Sequence, residues 1–124
     1  MVVQLDHIAL SVGDVERSAK FYYKMLGFKY EPIGLARISP TLVIQFIQRP
    51  VESSSHLAFS MTAEEFEAVL GRLKAEGVPY GDNFDTVGTL SGPGRSHGSA
   101  KNAACIYFTD PDGHMLEIMR YAQR

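Results

Sequence analysis

Two short stretches of the chain repeat one another residue type for residue type. "HIALSV", His7 to Val12, and "HLAFSM", His56 to Met61, each read His, branched aliphatic, Ala, large apolar, Ser, apolar. Side chains alternate across a strand, so His7, Ala9 and Ser11 share one face, and His56, Ala58 and Ser60 share the corresponding face. A histidine followed by small residues suits a cavity wall better than a packed core. Aligning "VIQFI", Val43 to Ile47, with "MLEIM", Met115 to Met119, sets Gln45 and Glu117 at equivalent places. Two imidazoles, a carboxylate and an amide oxygen form a donor set for Fe(II), Mn(II), Ni(II) or Zn(II), and two His with one carboxylate leave positions open for substrate. A single strand histidine is more often structural. Repetition on matching faces, together with a Glu117 that would be costly to bury unpaired among Met115, Leu116, Ile118 and Met119, turns the reading toward a metal.

Other chemistry-bearing residues lie in the second half. "SGPGRSHGSAK", Ser91 to Lys101, lacks the strand and GK[ST] context of a nucleotide phosphate loop. It reads instead as a lid bringing His97 as acid or base and Arg95 as an anion clamp onto a bound substrate. Tyr107 is a candidate to hydrogen-bond a substrate oxygen. Cys105, in "AACIYF", reads as an inert buried thiol. Tyr22 and Tyr23 read as packing residues, and His114, just after a turn, as exposed and outside the ligand set.

The elements that must hold these residues repeat as well. After the first histidine stretch, "GDVERSAKFYYKMLGF" predicts a helix with Asp14 as N-cap and Gly27 as stop. After the second, "TAEEFEAVLGRLKAEGV" predicts another, with Thr62 and Glu65 at capping-box spacing, an apolar stripe of Phe66, Val69, Leu70 and Leu73, and Gly77 as stop. The strand-like runs "LARIS" and "TLVIQFIQ" follow the first helix, and "ACIYFTD" and "HMLEIMRY" follow the second. "DPDG", Asp110 to Gly113, is a turn between the last two. "YGDNFDTVGTLSGPGRSHGSAKNA" reads as a long loop or floppy hairpin. The expectation is one α+β domain, 1–124, built of two βαβββ modules, about 1–50 and about 54–124, whose mixed sheets curl around a metal-binding cavity.

At 124 residues, with 45% hydrophobic and 21% charged residues and a formal charge of -2, the chain suits a soluble globular domain and lacks the positive field that gathers nucleic acid or anionic membrane. No run approaches a membrane span, the start lacks a secretion signal, and the one cysteine fits a reducing cytoplasm.

"DHIALSVGDVERSAKFYYKMLGF", "SHLAFSM" and "IYFTDPDGHMLEIM" together resemble the vicinal oxygen chelate superfamily, also called the glyoxalase, bleomycin-resistance and dioxygenase superfamily. The resemblance implies paired modules around a divalent metal, commonly in a homodimer, with metal positions at His7, His56 and Glu117. The fourth position, Glu in bacterial glyoxalase I, is Gln45, and an amide cannot serve as the base of that isomerisation. Extradiol ring-cleaving dioxygenases use two His and one Glu on Fe(II), and their signature of an upstream His, a Tyr, a "DPxG" turn and the ligand Glu is similar to His97, Tyr107, "DPDG" and Glu117. "LARISPTLVIQ" holds no counterpart of their acid-base histidine. An Fe(II) dioxygenase of a small-molecule substrate is the preferred expectation, with Mn, Ni or Zn as other metals. The alternatives are a bleomycin-resistance-type sequestering protein and a glyoxalase-like or fosfomycin-transferase-like enzyme, whose phosphonate would fall to Arg95, Lys101 and Arg120.

Overall fold

The computed structural model describes residues 2–122. The chain divides into two compact units, Met1–Ser54 and Ser55–Arg124. The first contains β1 (His7–Val12), α1 (Val15–Leu26), β2 (Lys29–Glu31), β3 (Leu35–Ser39) and β4 (Leu42–Gln48). The second contains β5 (His56–Ser60), α2 (Ala63–Ala75), β6 (Tyr80–Gly81), β7 (Gly94–Ser96), β8 (Ala103–Thr109) and β9 (Met115–Tyr121). The fold is α+β with two open mixed sheets.

In the first unit the strand order is β1-β4-β3-β2, parallel between β1 and β4 and antiparallel elsewhere. Helix α1 starts where the Asp14 side chain accepts the Arg17 N–H, and its Val15 N–H donates to Gln48 Oε1. It ends at Gly27, whose φ of +75° is a left-handed conformation that costs glycine nothing. Its buried face, including Ala19, Tyr22 and Met25, belongs to the core that Leu10, Val12, Ile44 and Phe46 supply from the sheet. The Tyr22 ring lies 5.3 Å from Phe46 and 6.5 Å from Phe28. Full burial of each large apolar side chain contributes roughly 1.5–3 kcal/mol. Tyr23, predicted to pack, is exposed instead, because its neighbour Tyr22 takes the inward position of that turn.

The second unit repeats the plan with order β5-β9-β8-β6, again parallel between its first and last strands. The Thr62–Glu65 capping box forms, and Phe66, Val69, Leu70 and Leu73 are the buried stripe of α2. Leu116 and Ile118 are fully buried on β9, and the Arg120 guanidinium lies 5.5 Å over the Phe66 ring. The strand equivalent to β2 is split into β6 and β7, both antiparallel to β8. Between them residues 82–93 form a long loop, as the sequence suggests. Gly88 and Leu90 both donate N–H to the Tyr80 carbonyl, and Thr86 Oγ1 donates to Asp82 Oδ1 at 2.6 Å. Gly94 lies so close to the Asp82 carbonyl that a Cβ would collide with it. Among the described residues no helix is long and apolar enough to cross a membrane.

Candidate metal centre

The ladder registers place the candidate ligands at equivalent points of the two sheets. His7 pairs with Val43 and Ala9 with Gln45; His56 pairs with Met115 and Ala58 with Glu117. Paired residues project to the same side, so His7 shares a face with Gln45, and His56 shares one with Glu117. The equivalence of Gln45 and Glu117 inferred from the sequence therefore holds at the level of register.

In the second unit this face carries a built polar pair. His56 Nε2 lies 3.1 Å from Glu117 Oε1. Glu117 is 3% exposed, and its Oε2 is buried with no hydrogen-bond partner among the described residues. A buried polar atom left unpaired costs about 1–3 kcal/mol, more if charged, so this carboxylate is positioned for a further, electropositive partner. Among the described residues, no three His, Cys, Asp or Glu side chains are gathered closely enough to hold an ion.

Tyr107 pairs with Glu117 across β8 and β9, and its ring centroid lies 5.9 Å from that of His56. Burial, followed by the charge and hydrogen bonding of Glu117, pushes its phenol up to about 12, against an opposing hydrogen bond from Ser96. Cys105, on the same face, is fully buried and pushed up to about 11, chiefly by burial, as an inert thiol should be.

In the first unit His7 Nδ1 lies 2.8 Å from Asp6 Oδ2. With the proton on Nδ1 and Asp6 accepting it, the lone pair is left on Nε2, the arrangement that orients a metal-binding imidazole. Asp6 was missed in the sequence; the Asp-His dipeptide is its only signal. Arg37 was also missed. It stands opposite Val43, on the face of His7 and Gln45, with its fork held by both Glu31 carboxylate oxygens at 3.0 Å.

The remaining candidates lie elsewhere. Ser96 ends β7 opposite Ala103, and its side chain hydrogen-bonds the Tyr107 phenol. His97 follows it and is exposed, and Gly98 after it packs against Met119 and Tyr121, on the face of Glu117. Arg95 pairs with Ala104 and thus projects to the opposite face from Glu117, donating to Asn102 Oδ1 at 3.1 Å. His114, expected to be exposed, is 1% exposed. Its Nδ1 accepts the Ser55 N–H at 2.9 Å and its own N–H donates to Asp110 Oδ1 at 2.9 Å. The turn folds inward because the Asp110 carboxylate gathers the N–H groups of both Asp112 and His114. With Met115 N–H donating to the Ser55 carbonyl, this clamp ties the start of β5, and so His56, to the start of β9, which carries Glu117.

The model of the Glyoxalase/Bleomycin resistance protein/Dioxygenase superfamily matches residues 4–118. The chain is 29% identical over 129 residues to "Glutathione transferase FosA" of Serratia marcescens, spanning 95% of this chain and 81% of that protein. It is 29% identical over 128 residues to "Metallothiol transferase FosB" of Shouchella clausii (strain KSM-K16), spanning 95% and 80%. Among solved structures, "Oxidase ChaP-H2" superposes with a TM-score of 0.78 at 26% identity, covering 98% of this chain and 95% of that one. Repeated βαβββ units, matched histidine registers and a family match over nearly the whole length lead to one conclusion: the chain belongs to the Glyoxalase/Bleomycin resistance protein/Dioxygenase superfamily.

Proposed function

We propose that the chain is a divalent-metal enzyme acting on a small oxygen-bearing substrate, with His7, His56 and Glu117 as ligands and Gln45 at the fourth position. The observation that carries this reading is the buried Glu117 Oε2, left without a partner beside His56 at the register that the first unit repeats with His7 and Gln45. The name metallothiol transferase, borne by a relative of similar length, agrees with a metal. The metal, when bound, supplies a Lewis acid that polarises a substrate oxygen. Asp6 holds the His7 proton at Nδ1. Gln45 is neutral and removes no proton, so Glu117 is the base of this set. Tyr107, whose phenol keeps its proton up to about 12, hydrogen-bonds Glu117 and is no base at neutral pH.

Of the reaction classes, thiol transfer or a related lyase reaction fits better than ring cleavage. FosA and FosB, both named as transferases of this kind, align over nearly the whole chain. The stretch "LARISPTLVIQ", which holds no histidine, also leaves ring cleavage without a counterpart of its acid-base residue. Fe(II) oxygen chemistry is the second reading, favoured by the likeness to an oxidase. The assembly proposed is a homodimer in a reducing cytoplasm, which keeps Cys105 free.

The test supplies protein reconstituted with Mn(II) or Fe(II) with fosfomycin plus glutathione or cysteine, followed by phosphorus NMR, and separately with a catechol panel under oxygen-uptake measurement. A thiol adduct lost in Glu117→Gln is the expected result. Oxygen uptake with a catechol would favour the second reading, and neither product from metal-loaded protein would reject both reaction classes.

A further inference from the structure

The face of the second sheet turned away from Glu117 carries a separate cluster. Arg95 on β7 pairs with Ala104 on β8, and Ala104 with Arg120 on β9, so two arginines flank one alanine in a single row. Two strand spacings separate their backbones by roughly 10 Å, close enough for two side chains of this length to converge over the alanine. Together with Asn102 they line a cavity of about 360 Å³, and none of its lining residues carries a carboxylate. The Asn102 carbonyl oxygen orients Arg95, and the Phe66 ring holds Arg120 from one side. Arg120 Nε is nonetheless buried with no hydrogen-bond partner among the described residues. A buried guanidinium donor without an acceptor, beside a second guanidinium and no acid, is a site short of an anion.

We propose that this cavity binds the phosphate group of a small phosphorylated molecule, at a site separate from the proposed metal centre. Forks arriving from two sides need a group with oxygens on more than one side. A tetrahedral phosphate offers three oxygens, whereas a carboxylate offers two in one plane. Ala104 supplies the floor, small enough to admit the ligand.

The probe is inorganic phosphate, titrated calorimetrically into the full chain freed of metal with a chelator. Saturable binding of one phosphate per chain is expected, weakened roughly tenfold or more in Arg95→Gln and in Arg120→Lys, which keeps the charge and stem but loses the fork. Binding should be unchanged in His56→Ala. Circular dichroism of each variant confirms that the fold is kept, and Arg95, being exposed, provides a variant that does not disturb the core. Absence of saturable binding, binding unaltered in both arginine variants, or binding lost in His56→Ala would each overturn the proposal.

Discussion

Replacing Asp110 with alanine tests how the turn positions the site. Asp110 Oδ1 accepts two backbone N–H groups at 2.9 Å, those of Asp112 and His114. The two losses are unequal. The His114 N–H is buried with its residue and would be left unpaired, costing about 1–3 kcal/mol, whereas water can reach the partly buried Asp112 N–H, which costs about 1 kcal/mol. The sum is about 2–4 kcal/mol, or a melting temperature lower by roughly 10 °C for a chain of this size. Asp110→Asn keeps an acceptor at Oδ1 and should cost about 1 kcal/mol. Urea and thermal unfolding of the three proteins give the comparison. The reasoning is refuted if alanine costs less than about 0.5 kcal/mol, or if asparagine and alanine are equally destabilising. Since His114 also receives the Ser55 N–H, the alanine variant should in addition loosen His56 from Glu117.

Removing the N-cap hydroxyl in Thr62→Ala should cost about 1 kcal/mol in urea unfolding, since the Glu65 N–H loses its acceptor. Cys105 and Tyr107 both have folded values raised above their ordinary ones of 9.0 and 10.0, to about 11 and about 12. Between pH 9 and 12 the folded state therefore holds protons that the unfolded state has released, and stability falls as pH rises through that window. Denaturation midpoints measured from pH 8 to 12 should show the decline, shallower in Cys105→Ala and in Tyr107→Phe. Iodoacetamide should leave Cys105 unmodified at pH 8 until the chain is unfolded.

What could be read from the chain before its fold was known followed from periodicity. The helix caps at Asp14 and Thr62 and the apolar stripe of α2 carry strong local signals, and each formed where the residues place it. The likeness of "HIALSV" to "HLAFSM" located two strands that each pair in parallel with the last strand of their own unit, which set Gln45 and Glu117 in matching registers. Edge strands were harder. Lys29–Glu31, Tyr80–Gly81 and Gly94–Ser96 are two or three residues long, too short for alternation to register, and they form because a longer strand beside them offers unpaired backbone groups. His114 escaped notice because a turn histidine is ordinarily solvated, and only the Asp110 carboxylate and the Ser55 N–H draw it inward. Arg95 looked like a clamp for the metal-side ligand because spacing along a loop does not reveal which sheet face a residue will take. Pairing with Ala104 decides that.

The most direct measurement is metal binding itself. Chelator-treated protein is titrated with Mn(II), Fe(II), Ni(II) and Zn(II), and stoichiometry and affinity are read for the unaltered chain and for His7→Ala, His56→Ala and Glu117→Gln. The predicted result is one ion per chain for at least one metal, with affinity reduced tenfold or more in each variant. Failure of all four ions to bind the folded, unaltered chain, or binding that the three substitutions leave unchanged, would contradict a metal centre at His7, His56 and Glu117.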